Sequence, residues 1–237
     1  MPMYYYGGYS YFLYMLYMLP GLIVAIWAQA KVKSAYSKYS RVPNLRGITG
    51  AMAAEAVLRA SGVSAVAIRR VSGEMTDHYS PADNTIYLSD GVYDSTSIAA
   101  VGIAAHEAGH AVQYAENYGP IKFRMAIVPV CNFGSRFGIP IAFIGALLSI
   151  MELVWVGIIL FGLTLLFQLV TLPVEFNASR RALSAINNGG LLTGDEAHGA
   201  KSVLSAAAMT YVAAMLQSML SFLYFFMRFI GNNRNKR

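Results

Sequence analysis

Ile103-Ala104-Ala105-His106-Glu107-Ala108-Gly109-His110-Ala111-Val112-Gln113 is the stretch from which the rest of the chain is read. It falls inside a helix predicted from about Thr96 to Asn117, with Asp94 and Ser95 as candidate caps and Gly119-Pro120 as its end. On a helix, histidines at i and i+4 project from one face a turn apart, which suits two Nε2 atoms meeting a single Zn²⁺. Glu107 stands beside them, where a carboxylate can take the proton of a water as general base. The small neighbours Ala104, Ala105, Ala108, Gly109 and Ala111 let other backbone come close to this helix.

Two histidines leave zinc short of the third protein ligand that catalytic sites carry. A third histidine in the metzincin manner would need Gly at 113 and His at 116, where this chain has Gln113 and Glu116, so that subclass is excluded. The donors left outside the motif are His78, Glu116, Glu175, Asp195, Glu196 and His198. Glu175 stands out, because it lies two residues past Pro173 at the foot of an apolar run, where a lone carboxylate is costly without a partner or a metal. Its plainer reading is an interfacial carboxylate paired with Arg180 or Arg181.

Outward from this stretch, composition narrows the class. Of the 237 residues 56% are hydrophobic and only 13% charged, and mean hydropathy is +0.46, which excludes an ordinary soluble domain, with about a quarter of its residues charged. The net charge of +6 is spread thinly and follows membrane topology rather than any nucleic-acid motif. With Cys131 alone, neither an intrachain disulfide nor a cysteine metal cluster can form.

Tyr11 to Ala28 is uncharged and long enough to cross a bilayer. Without a basic stretch before it, it reads as a membrane anchor rather than a signal peptide. Residues 31 to 124 hold ten of the eighteen basic and eight of the twelve acidic side chains, and here a water-facing domain can form. A helix is expected over Thr49 to Ser61, strands over Ser64 to Val71 and Thr85 to Ser89, and then the motif helix. The second strand is a candidate edge for an extended substrate, although most such strands are ordinary sheet members. Phe137 to Thr171 carries Glu152 as its one charge, and at about 1.5 Å per residue is long enough for two short crossings turning near Ser149 to Glu152. Pro173 is expected to close the second, a polar-faced helix to resume over Val174 to Ala185, and a last apolar run to cover Ala206 to Phe229.

The fold class is therefore an α+β minimal zincin-like domain combined with transmembrane helices, mostly α. The expected organisation is an anchor over 1–30, a catalytic domain over 31–125, a helical hairpin over 126–173, a polar helix with the third ligand over 174–205, and an apolar helix with a basic tail over 206–237. Lys31, Lys33, Lys38, Arg41 and Arg46 after the first span, Lys122 and Arg124 before the second, and Arg180 and Arg181 after the third put the polar domain in the cytoplasm. His110 and Glu175 can then meet at one metal only if an even number of crossings separates them, and the apolar stretch between them is long enough for two. His78, Tyr211 and His198 are weaker candidates for stabilising an oxyanion. Tyr4, Tyr5, Tyr6, Tyr9 and Tyr11 read as an interfacial aromatic belt.

Met75 to Gln113, Leu169 to Leu183 (LVTLPVEFNASRRAL) and Ala206 to Ala213 (AAAMTYVA) together resemble the YugP-like bacterial membrane zinc metallopeptidases, over nearly the whole chain after the first span. The resemblance implies a gluzincin-type zinc metalloendopeptidase of the bacterial plasma membrane, multi-pass. His106, His110 and Glu175 would be its ligands, Glu107 its acid/base, and a peptide or membrane protein its substrate at the cytoplasmic bilayer surface. More distantly it is similar to the HtpX heat-shock proteases and CAAX prenyl proteases, whose ligand Glu opens an E-x-x-x-D pattern. Position 179 here is Ser, so the Asp of those relatives has no counterpart and their substrates are not carried over. The alternative is a membrane scaffold or chaperone-like protein that keeps zinc for structure. Four closed ligands would mark it, against three ligands and an open position for an enzyme. A protease cutting within the bilayer is disfavoured by the polar flanks of the motif helix.

Overall fold

A computed structural model describes the backbone of residues 3–234 and the side chains of residues 12–227. In chain order the elements are α1 (Met3–Tyr39), α2 (Gly50–Ala60), β1 (Ala67–Val71), β2 (His78–Ser80), β3 (Thr85–Ser89), α3 (Asp90–Tyr93), α4 (Ile98–Ala115), α5 (Gly119–Leu147), α6 (Met151–Asn188) and α7 (Gly194–Arg234). Mostly α with a small sheet, this is the fold class expected. The tyrosines at 4 to 11 and the basic residues at 236 and 237 lie outside the described side chains. Two compact units form: one from Gln29–Lys122 and Leu172–Met209, the other from the stretch up to Ala28, Phe123–Thr171 and the chain from Thr210 onward.

The first unit is built on local signals. Thr49 caps α2 by accepting the Met52 N–H, and the chain leaves the helix through Gly62 at φ +68°, as a left-handed C-terminal exit requires. β1 and β3 pair in parallel, Ala67 opposite Thr85 to Val71 opposite Ser89, while β2 pairs antiparallel with β3, His78 opposite Tyr87. The sheet order is β1-β3-β2. β3 is thus the central strand and not an edge: both its sides are spent on neighbours, and Ile86 and Leu88 are fully buried. The three-residue β2 is too short to register as a period in sequence.

α4 is capped by Ser97, whose Oγ accepts the Ala100 N–H, rather than by Asp94 or Ser95. Ser95 Oγ instead donates to Ser97 Oγ, and Asp94 receives Arg70. The loop before α2 is fastened here too, since Ile98 N–H donates to Val42 and Asn44 N–H to Thr96. The helix ends at Glu116 with Asn117 at φ +59°. Gly119-Pro120 does not end it but opens α5, because proline is well suited to a first helical turn, where its missing N–H has no partner to lose. Ala104, Ala105 and Ala108 are fully buried, and they pack in one core with Val57, Ile86, Leu88, Ala182 and Ile186.

In the other unit, Gly134, Gly138 and Gly145 of α5 face α6 at backbone contact. A Cβ on Gly138 would lie 2.8 Å from the Phe161 nitrogen, one on Gly145 2.6 Å from that of Val154, and one on Gly157 would strike the Ala142 backbone. This is the small-residue packing by which apolar helices associate without a hydrophobic driving force. The turn falls where expected, between Leu147 and Met151, with Ser149 at φ +59°. α6, however, runs unbroken through Pro173 to Asn188. Proline withdraws one backbone donor, and in surroundings without water the other carbonyls and amides have no better partner than the helix. The last apolar run is likewise part of one continuous helix, α7. Among the described residues, four helices are long and apolar enough to cross a membrane: Phe12–Tyr39, Gly119–Leu147, Met151–Asn188 and Gly194–Met227.

Candidate metal centre

α4 and the C-terminal part of α6 meet at Gly109. A Cβ there would lie 2.7 Å from the Ala178 carbonyl oxygen, so the fourth position of the motif is glycine because another backbone occupies the space. This approach faces His106 and His110 with Glu175, one turn before Ala178 on α6. Glu175 Oε2 stands 3.3 Å from His106 Nε2 and 3.5 Å from His110 Nε2. The three donor atoms lie within 4.8 Å of one another, and the two rings cross edge-on with centroids 4.7 Å apart. Glu175 is 3% exposed and His110 9%.

Donors bound tetrahedrally to zinc at about 2.1 Å are separated by about 3.4 Å, which matches the distances from Glu175 to both rings. Two imidazoles and one carboxylate are also a donor set that zinc takes. The residues fit the ion.

Each imidazole is held from behind. Ser179 Oγ is 3.1 Å from His106 Nδ1, and Gln113 Oε1 is 3.0 Å from His110 Nδ1. Burial disfavours a charged His110, but the carboxylates of Glu175 and Glu107 outweigh it and hold the imidazole pKa above its ordinary value. Glu107, half-buried beside the cluster, accepts the Tyr79 backbone N–H on Oε2 at 3.0 Å. The outward-facing amide of edge strand β2 is therefore committed to the carboxylate, leaving Oε1 for another donor.

Most of the other donors weighed in the sequence are engaged elsewhere. Glu116 pairs with Arg181 at 2.7 Å, and Arg181 Nε also donates to Asn177 Oδ1. Glu196 closes the start of α7, accepting Thr193 N–H and Oγ–H on Oε2 and Leu45 N–H on Oε1. Its burial is explained by these bonds. Asp195 sits exposed in the first turn of α7. His198 is exposed and reaches back to the Gly194 carbonyl. His78 is exposed, stacked on Tyr87, with Nδ1 at 2.8 Å from the Thr76 carbonyl. Tyr211 belongs to the other unit. Sequence reading missed Ser179 and Gln113 as partners of the histidines. Gln113 gave one signal, a polar residue on an otherwise apolar helix face, and it is fully buried.

A membrane protein with a candidate two-histidine, one-carboxylate metal site is what this fold and cluster define. The model of the family described as "Putative neutral zinc metallopeptidase" matches residues 14–230, and the chain belongs to that family. It is 46% identical over 214 residues, 90% of this chain and 95% of the relative, to "Putative membrane protease YugP" of Bacillus subtilis (strain 168). No solved structure matches it. With four apolar helices of spanning length and that relative, the protein is a membrane protein.

Proposed function

We propose that the chain is a zinc-dependent metalloendopeptidase that hydrolyses peptide bonds of a peptide or membrane-protein substrate at the cytoplasmic surface of the plasma membrane. The observation that carries the reading is the convergence of Glu175 Oε2 on both motif imidazoles at tetrahedral ligand spacing. His106, His110 and Glu175 would hold the ion, which when bound supplies Lewis-acid polarisation of the scissile carbonyl and makes a water acidic enough to attack at neutral pH. Glu107 performs the proton transfers: Oε1 takes the proton of the attacking water while Tyr79 N–H steadies Oε2, and the carboxyl then passes that proton to the leaving amine. Three converging donors among the described residues, rather than four, favour this over a zinc site kept for structure.

The side of the membrane follows from charge and chain order. The cations after the first span and before the second favour a cytoplasmic polar unit. Between His110 and Glu175 the chain runs through α5 and the part of α6 that precedes Glu175, two apolar stretches and so an even number. Purified full-length protein should degrade an unstructured peptide substrate, lose that activity to a chelator and regain it with zinc. Failure of added zinc to restore turnover in a folded sample would refute the reading. Cysteines placed at Lys38 and Asp83 should resist an impermeant thiol reagent in intact cells and react after permeabilisation, and labelling in intact cells would reverse the orientation.

A further inference from the structure

Among the described residues, the side chains that meet the two Nδ1 atoms are neutral ones, Gln113 and Ser179. Gln113 Nε2 donates to the Val174 carbonyl at 2.8 Å and to Asn177 Oδ1 at 2.9 Å. A carbonyl can only accept, so the amide of Gln113 has one orientation, with Oε1 facing His110. His110 Nδ1 must then carry the hydrogen, which leaves the Nε2 lone pair aimed at Glu175. The setting is reinforced from α6: Asn177 Oδ1 also accepts Arg181 Nε at 2.8 Å, and Arg181 is anchored by Glu116 just past the end of α4. Gln113 thus connects the tautomer of one histidine to the backbone beside Glu175.

Ser179 stands in the corresponding place behind His106; its hydroxyl can donate or accept, and with Nε2 of the ring given to a metal it accepts the Nδ1 hydrogen. It stands four residues after Glu175 on α6, one turn along the same face, with Oγ 3.1 Å from Nδ1 while Nε2 of the ring faces Glu175. The position that reads in sequence as a lost acid is therefore occupied by a hydroxyl that reaches the ring.

We infer that Ser179 and Gln113 are positioning residues that fix His106 and His110 as Nδ1–H tautomers, so that the protein presents both Nε2 atoms to a metal through neutral partners rather than carboxylates. Resting on the zinc reading above, this assigns the geometry of the centre to two residues outside its donor set. Neutral acceptors draw less on the Nδ1 hydrogen than a carboxylate does, so the imidazoles remain weaker donors.

The test is zinc affinity, measured by competition with a chromophoric chelator on the full-length protein in detergent, together with the visible spectrum of the cobalt-substituted protein. Ser179→Ala should weaken zinc binding by about tenfold or more, the effect typical of losing such a partner, and should alter the cobalt bands. Ser179→Thr, which keeps the hydroxyl, should restore both. Ser179→Asp should tighten binding relative to wild type. Gln113→Met, which keeps the volume, should weaken binding as Ser179→Ala does. Because it removes the donations of Gln113 to the Val174 carbonyl and Asn177 Oδ1 it also threatens folding, so the serine variants decide the matter. Wild-type affinity and wild-type cobalt bands in Ser179→Ala would overturn the inference while leaving the zinc reading intact. A folded wild-type protein that binds no zinc would overturn both.

Discussion

Both units let helices touch at glycine, and to different ends. In the membrane unit, Gly134, Gly138, Gly145 and Gly157 bring α5 and α6 into backbone contact, while the outward faces stay apolar and open, as at Phe143, Ile159 and Leu166. In the polar unit a single glycine, Gly109, admits the α6 backbone at Ala178, and what is enclosed is polar: two imidazoles, Glu175, Gln113 and their bonds. Close approach in the first case maximises dispersion contact where water cannot drive association. In the second it fixes distances between donors, so a small displacement there would change chemistry as well as stability.

The largest expected effect isolates chemistry from scaffold. Glu107→Gln should lower kcat by about a thousandfold or more while zinc content stays at the wild-type level, since the amide carbonyl can still accept Tyr79 N–H but cannot take a proton. Turnover near wild type in a zinc-loaded sample would show that Glu107 is not the base.

A paired substitution breaks the comparison between the units directly. Gly109→Val should abolish zinc binding and lower stability by about 3 kcal/mol, because the new side chain meets backbone that cannot yield. Gly157→Ala should cost about 1–3 kcal/mol by the same overpacking, yet the folded fraction should bind zinc as wild type does. Thermal unfolding and metal analysis on both variants check this, and zinc loss in folded Gly157→Ala would show that the two close approaches do not have separate roles.

A smaller effect appears with pH. A protonated imidazole cannot bind metal, and His110 holds its proton to a higher pH than an ordinary histidine. Zinc affinity should therefore be fully developed only above the elevated pKa and fall by about tenfold for each unit of acidification once His110 is protonated, with the decline beginning above pH 6.5. A titration of zinc affinity between pH 5 and 8 checks the sign, and affinity that rises on acidification would contradict it.

What could be read from the sequence was local or spaced along one element. Thr49 with its apolar helix, β1 and β3, the turn at Ser149 and the pairing of His106 with His110 all depend on neighbours in sequence. Glu175 could be singled out because a carboxylate at the foot of an apolar run is costly, and the structure places it against both histidines. β2 was illegible because three residues carry no period, and the central place of β3 depends on it. Pro173 misled because an interior proline breaks helices in water more readily than in long apolar ones. Ser179 and Gln113 acquire their partners only when α4 and α6 pack, and no spacing within either helix announces that.

Zinc bound per chain in Glu175→Ala, measured beside wild type on folded protein in detergent, tests the central claim most directly. With His106, His110 and Glu175 as the donor set, wild type should carry one zinc and Glu175→Ala should lose most of it on dialysis, because two imidazoles hold the ion far less tightly than three protein ligands. Full zinc and full activity in Glu175→Ala would contradict the assignment and send the third ligand elsewhere in the chain.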